Sequence, residues 1–228
     1  MEAMKRILWV GGSKGGVGKS MVTMALLDYL QGNDQKPFLV ETDTSNPDVW
    51  KAYKDELKHS TINLDGRSGW AELIEVCDSN RESPVVINTA ARNNTAVTKN
   101  GETLGGTLAE LKRQLVVLWV INRQRDSLEL LREFMEAVPH AHVHIVRNGY
   151  FGDEEKFELY NGSKTRAAIE AKGGKSVTFP DLADRVSDEL YTKRLSITTA
   201  SKEMGIGNRA ELNRWKKEVS RVLGEVLE

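Results

Sequence analysis

Ten residues near the start of the chain, Gly11-Gly-Ser-Lys-Gly-Gly-Val-Gly-Lys-Ser20, place the strictest limit on how it can fold. They follow the apolar run Ile7-Leu-Trp-Val10 and precede a helical stripe of Val22, Ala25, Leu26, Tyr29 and Leu30 that Gly32-Asn33 stops. Strand, glycine-rich turn and helix in that order make a cradle for phosphate. Gly15, Gly16 and Gly18 let backbone N–H groups turn inward and approach oxygen atoms with no Cβ in the way. The helix N-terminus adds its partial positive charge. In such a loop the backbone from Gly15 through Val17 to Met21 surrounds the phosphates. Lys19 then sits between the β- and γ-phosphates, and the Ser20 hydroxyl binds Mg2+.

The remaining chain alternates short β-rich runs with helical patterns. Segments 38–40, 85–87, 115–121 and 143–146 are nearly uninterrupted apolar runs, which predicts strands in a sheet covered on both faces. A further short strand is expected over 176–179. Helical patterns cover 18–31, and 127–138 after Asp126 and before Pro139. This alternation predicts an α/β fold, a doubly wound and mostly parallel sheet with helices on both faces, as one domain over 1–228. Residues 92–107 are polar, glycine-containing and aperiodic, and read as a mobile loop near the C-terminal edge of the sheet. A long helix is expected over 207–227, with Leu212, Trp215, Val219, Val222, Leu223, Val226 and Leu227 on one side.

The general phosphate-loop pattern places a glycine five residues before Gly18, where this chain has Ser13. It carries instead a second lysine, Lys14, directly before the glycine pair. The stretch Lys14-Gly-Gly-Val-Gly-Lys-Ser20 resembles the deviant Walker A box of the ParA/MinD family of dimeric ATPases. The resemblance implies ATP and Mg2+ as cofactors, slow hydrolysis, and a homodimer that sandwiches ATP, with Lys14 reaching the partner's γ-phosphate.

Later segments carry the likeness with departures. Where the family ends its second strand in two aspartates one residue apart, this chain has Glu41 and Asp43. A carboxylate there can orient the attacking water and hold the magnesium shell. Asp43 and Asn46 also suit the capping of a helix beginning near Pro47, and both roles can hold together. Asn88 stands where the family carries its Walker B aspartate. An amide can hydrogen-bond a magnesium-bound water but brings no charge, which argues against strong Mg2+ binding and fast turnover. Thr89 and the segment after it would sense the γ-phosphate. Asn148 corresponds to the residue that reads adenine, although Asn148-Gly149 is also a common turn pair, and Pro180 matches the base-side loop.

Composition narrows the remaining choices. With 32 basic and 33 acidic residues the net charge is −1, unlike a histone-like or acidic disordered chain. The single Cys77 excludes a disulfide framework and points to a reducing compartment, and the seven-residue apolar run 115–121 is too short to span a bilayer. A cytoplasmic protein is expected. His140, His142 and His144 alternate as same-face strand residues would, but they read as packing and edge residues rather than metal ligands. From Tyr191 onward eight Lys or Arg face five Glu. Three readings stay open there: a solvated helix face, a surface for non-specific DNA, and a membrane-surface helix. A partner or adaptor protein is expected, with non-specific DNA as a candidate partner of the basic C-terminal region. Two other functions remain: a nucleotide-gated binding protein with little hydrolysis, and an ATP-dependent synthetase or kinase.

Overall fold

The computed structural model describes residues 5–12, 15–91 and 93–227. Lys14 and Ser13 therefore lie outside the described residues. The strands are β1 (Arg6–Gly12), β2 (Phe38–Glu41), β3 (His59–Thr61), β4 (Val85–Asn88), β5 (Gln114–Ile121), β6 (His142–Asn148) and β7 (Ser176–Phe179). The helices are α1 (Lys19–Gly32), α2 (Asp48–Tyr53), α3 (Arg67–Ser79), α4 (Asn93–Leu111), α5 (Asp126–Ala137), α6 (Glu158–Asn161), α7 (Lys164–Ala171), α8 (Asp184–Lys193), α9 (Ile197–Glu203) and α10 (Ile206–Leu227).

The strands form one seven-stranded sheet in the order β3-β2-β4-β1-β5-β6-β7, and every pairing in it is parallel. The expected doubly wound architecture is thus present. Successive side chains of a strand leave opposite faces, so each apolar strand feeds two cores. Leu8 and Val10 pack with α1, α2, α8, α9 and α10, whereas Ile7 and Trp9 pack with α3, α4 and α5. Four of the five tryptophans, Trp9, Trp70, Trp119 and Trp215, are buried. The last helix follows expectation: Leu212, Trp215, Val219, Val222, Leu223, Val226 and Leu227 are all buried along it.

One segment differs from its sequence pattern. Residues 92–107 read as a mobile loop, but α4 runs from Asn93 to Leu111. Val97, Leu104, Leu108 and Leu111 are buried against the sheet, and this spacing is helical once Gly101 is included in the stripe. A Cβ at Gly101 would lie 2.7 Å from Val138 Cγ2, so the glycine admits the close approach of α4 to the end of α5. Helix–helix packing overrides the low intrinsic propensity of the segment.

A second difference concerns the histidines. His140 lies in the turn before β6 and is exposed, so only His142 and His144 share the strand. Their rings meet edge to face at 4.5 Å. The Nδ1 of His144 accepts the backbone N–H of Lys175 at 3.1 Å, and burial pushes the ring's pKa down to about 4, with His142, Lys175 and Arg6 adding to the effect. Among the described residues no group of three His, Cys, Asp or Glu is arranged to hold a metal.

Candidate functional site

The turn between β1 and α1 lies at the C-terminal end of the central strand. Gly11 and Gly12 are bare because their neighbours leave no room. A Cβ at Gly11 would stand 2.9 Å from the indole nitrogen of Trp9, and one at Gly12 would stand 2.8 Å from the Val120 carbonyl. Gly16 and Gly18 have φ of 76° and 101°, left-handed conformations that L side chains rarely adopt. Gly18 is the residue before α1, and its carbonyl accepts the Val22 N–H at 3.0 Å. The loop's turn and the start of the helix are therefore one continuous backbone feature. Val17 is buried, and Met21 packs against the first core.

Lys19 opens α1 and is 7% exposed. Burial pushes its ammonium pKa down to about 8, opposed by the nearby charge of Asp43. A cation held in this way gains from any anion that approaches it. Ser20, the next residue, is half-buried.

The ends of β2 and β4 adjoin this turn. Glu41 is completely buried and Asp43 half-buried. Glu41 Oε1 accepts the Asp43 N–H at 2.9 Å, and Oε2 accepts the Trp50 N–H at 3.4 Å. Asn88 Nδ2 donates to the same two oxygens at 2.9 and 3.1 Å. Burial drives the Glu41 carboxyl up to about 7 against these three donors. Asp43 Oδ1 accepts the N–H groups of Ser45 and Asn46 at 3.2 and 3.1 Å, so it does serve the turn into α2.

One residue of this cluster lies outside every motif of the sequence. Thr23 lies four residues after Lys19, on the face of α1 turned toward the sheet. Its hydroxyl lies 2.9 Å from both the Lys19 carbonyl and Asn88 Oδ1. Its spacing from Lys19 was the available signal, since residues four apart share a helix face. Thr89 is buried, and its hydroxyl donates to the Val10 carbonyl at 2.7 Å. The segment that follows it enters α4 at Asn93.

On the other flank, Asn148 ends β6 and reaches the loop. Its Nδ2 donates to the Val17 carbonyl at 2.8 Å, while Oδ1 accepts the Tyr150 N–H at 3.1 Å. A Cβ at Gly18 would come within 2.3 Å of that nitrogen, so the contact requires glycine. Asn148 pairs in register with Phe179, which sets Pro180 beside it, and the Pro180 carbonyl accepts the Trp215 indole N–H at 2.9 Å. Gly15–Met21, Glu41, Asp43, Asn88, Asn148 and Pro180 thus share one edge of the sheet.

The basic C-terminal region is laced with ion pairs. Arg214 meets Glu211 and Glu218, Arg221 meets Glu225, and Lys216 reaches Asp28 on α1 at 2.9 Å. Among the described residues no helix is long and apolar enough to cross a membrane.

Comparison with known proteins was consistent along the chain. The family model described as the CobQ/CobB/MinD/ParA nucleotide binding domain matches residues 8–148. The chain is 64% identical over 223 residues to Protein MobD of Acidithiobacillus ferrooxidans, covering 98% of each chain. Among solved structures, the MinD cell division protein of Aquifex aeolicus superposes with a TM-score of 0.57 at 11% identity, covering 98% of each chain. The septum site-determining protein MinD of Pyrococcus horikoshii OT3, complexed with Mg-ADP, gives 0.55 at 15% identity, covering 97% of this chain and 98% of that one. At these identities the two structures establish a shared fold.

Proposed function

Because the chain belongs to the CobQ/CobB/MinD/ParA nucleotide-binding family, we propose that it is an ATP- and Mg2+-dependent dimeric switch with slow γ-phosphoryl hydrolysis. Its output would be partition of plasmid or other DNA, conjugative transfer, or cellular positioning. The observation that carries this reading is the loop itself: two positive-φ glycines and a desolvated Lys19 at the helix N-terminus. In this reading the backbone of Gly15–Met21 and the Lys19 ammonium hold the phosphates. Asn148 and Pro180 flank the base side, with Asn148 also fastening the loop at Val17. A MinD of the same fold is described as complexed with Mg-ADP.

The donor set suits magnesium bound through nucleotide. Ser20 and Asp43 offer one hydroxyl and one carboxylate, too few for an all-protein cage and in keeping with an ion that retains water and phosphate ligands. Bound there, Mg2+ would neutralise charge on the phosphates. Asp43 would orient the attacking water. Lys14 would extend toward a facing subunit and its γ-phosphate, a contact that ADP cannot offer. Its partners would be an adaptor protein and, through the basic C-terminal region, non-specific DNA, with the cytoplasm as the site of action.

Asn88 favours a second reading. With its amide donated to Glu41, a neutral residue stands at the magnesium side, as suits a nucleotide-gated binder that hydrolyses little.

The test combines calorimetry with light scattering in the presence of Mg2+ and a non-hydrolysable ATP analogue. Lys19→Ala is expected to abolish binding. Lys14→Ala is expected to bind nearly as the parent does and to stay monomeric. Normal affinity in Lys19→Ala would end the phosphate-loop assignment, and a Lys14→Ala dimer would end the sandwich.

A further inference from the structure

Glu41 and Asn88 are locked together in a way that neither residue's sequence context announces. Asn88 Oδ1 faces the Thr23 hydroxyl, and Nδ2 faces both carboxylate oxygens of Glu41. Thr23 in turn contacts the Lys19 carbonyl, and Glu41 accepts the Asp43 N–H. A buried polar path therefore runs from the Lys19 carbonyl through the Thr23 hydroxyl, whose one proton is shared with Asn88 Oδ1, and through Asn88 and Glu41 to the Asp43 backbone N–H at the end of β2. Thr23, Asn88 and Glu41 are each no more than 2% exposed.

We propose that Glu41 and Asn88 act as one unit, in which β2 carries the buried carboxylate of the magnesium side and β4 carries its neutral clamp, with Thr23 as the residue that orients the clamp. This rests on the nucleotide reading above. The argument is one of complementarity. An amide at 88 supplies the donor that a buried carboxylate at 41 needs, and still has an acceptor for Thr23. An aspartate at 88 would set two carboxylates about 3 Å apart in a dry site, where they cannot both ionise. Asn88 is thus the residue that Glu41 requires. Moving the acid from one position to the other keeps the donor–acceptor match between the two side chains, since a glutamine at 41 can donate to an aspartate at 88, which still accepts from Thr23; it gives up one of the two backbone N–H bonds, from Asp43 or Trp50, that Glu41 accepts. Glu41, Asn88 and Thr23 are positioning residues here, acting on Lys19 and Asp43 through the path.

The pair can be tested with Glu41→Gln, Asn88→Asp and the double variant, using two readouts. The first is urea unfolding of the nucleotide-free protein. Asn88→Asp should lower the midpoint, and adding Glu41→Gln should restore part of the loss. The second is the ratio of ADP affinity with and without Mg2+, by calorimetry. Glu41→Gln should reduce that ratio at least tenfold, and the double variant should recover it. Thr23→Val should lower the ratio severalfold, and Thr23→Ser should retain it. A double variant no more stable than Asn88→Asp would overturn the pairing. A folded Glu41→Gln protein that keeps the parent's Mg2+ ratio would overturn its role while leaving the nucleotide reading intact. If the parent binds no nucleotide in either condition, that reading fails and the role proposed for the pair fails with it.

Discussion

Asn88 on β4 donates its side-chain amide to both carboxylate oxygens of Glu41 on β2, at 2.9 and 3.1 Å, across two neighbouring parallel strands. Both side chains are buried, so neither can exchange its partner for water. Asn88→Leu keeps the volume and deletes the donors. It is expected to lower the unfolding free energy by roughly 1–3 kcal/mol, the cost of leaving a buried polar group unsatisfied. Tryptophan fluorescence against urea measures this, and an unchanged midpoint would show that the pair adds nothing to stability.

Asp43 is the half-buried carboxylate of the β2 end, and Glu41 the buried one. Asp43→Ala should bind ATP but lose hydrolysis by about 10²-fold or more, the scale of a positioned acid–base group. Phosphate release over hours, beside an ATP-binding isotherm, separates the two effects. If Glu41→Ala stops release while Asp43→Ala does not, the roles are reversed.

Asn148 fastens the loop from the far flank through the Val17 carbonyl. Asn148→Ala should weaken ATP binding about tenfold, equivalent to the ~1.4 kcal/mol of one ordinary hydrogen bond. The melting temperature of the nucleotide-free protein should fall as well, because the bond to Val17 is present without nucleotide. Gly18→Ala should do more damage, since it combines a φ of 101° with a collision against the same amide. Equal affinity in Asn148→Ala and the parent would detach this residue from the site.

His144 sets a pH dependence far from the loop. Its folded pKa is pushed down to about 4 from an ordinary 6.5, so the unfolded chain takes up a proton that the folded one refuses. The contribution to stability is whole above pH 6.5 and is lost progressively as pH falls toward 4. His144→Gln should flatten the unfolding midpoint between pH 7 and 4.5. A parent whose midpoint is level over that range would contradict the buried, neutral ring.

Much of the frame was legible because it is written locally. The runs at Ile7–Val10 and Leu115–Ile121 are apolar on both faces, and a strand of that kind can only be interior. The glycine loop was legible for the same reason. What escaped had either a weak local pattern or a distant partner. β3, His59-Ser60-Thr61, is a short edge strand with no apolar residue. α4 was hidden by Gly101, Gly105 and Gly106, glycines that weaken a helix in isolation, although its buried leucines kept the period. Glu41 and Asn88 could each be picked out as departures from a motif. Their contact spans 47 residues, and Thr23 lies 65 from Asn88, so no window of sequence holds the cluster.

β1 is the middle strand of the sheet, and the strands hydrogen-bonded to it come from residues 85–88 and 114–120. During synthesis this has a plain result. A nascent chain that has emerged only as far as α1 contains every residue of the phosphate loop, yet lacks both strands that flank β1. It also lacks Asn148 and the C-terminal helix that packs along α1. Contacts so distant in sequence close late, because chain entropy must be overcome before they form. A ribosome stalled before residue 114 should therefore hold a chain that carries the motif and cannot bind through it. The first motif to be translated is among the last parts of the molecule to be built.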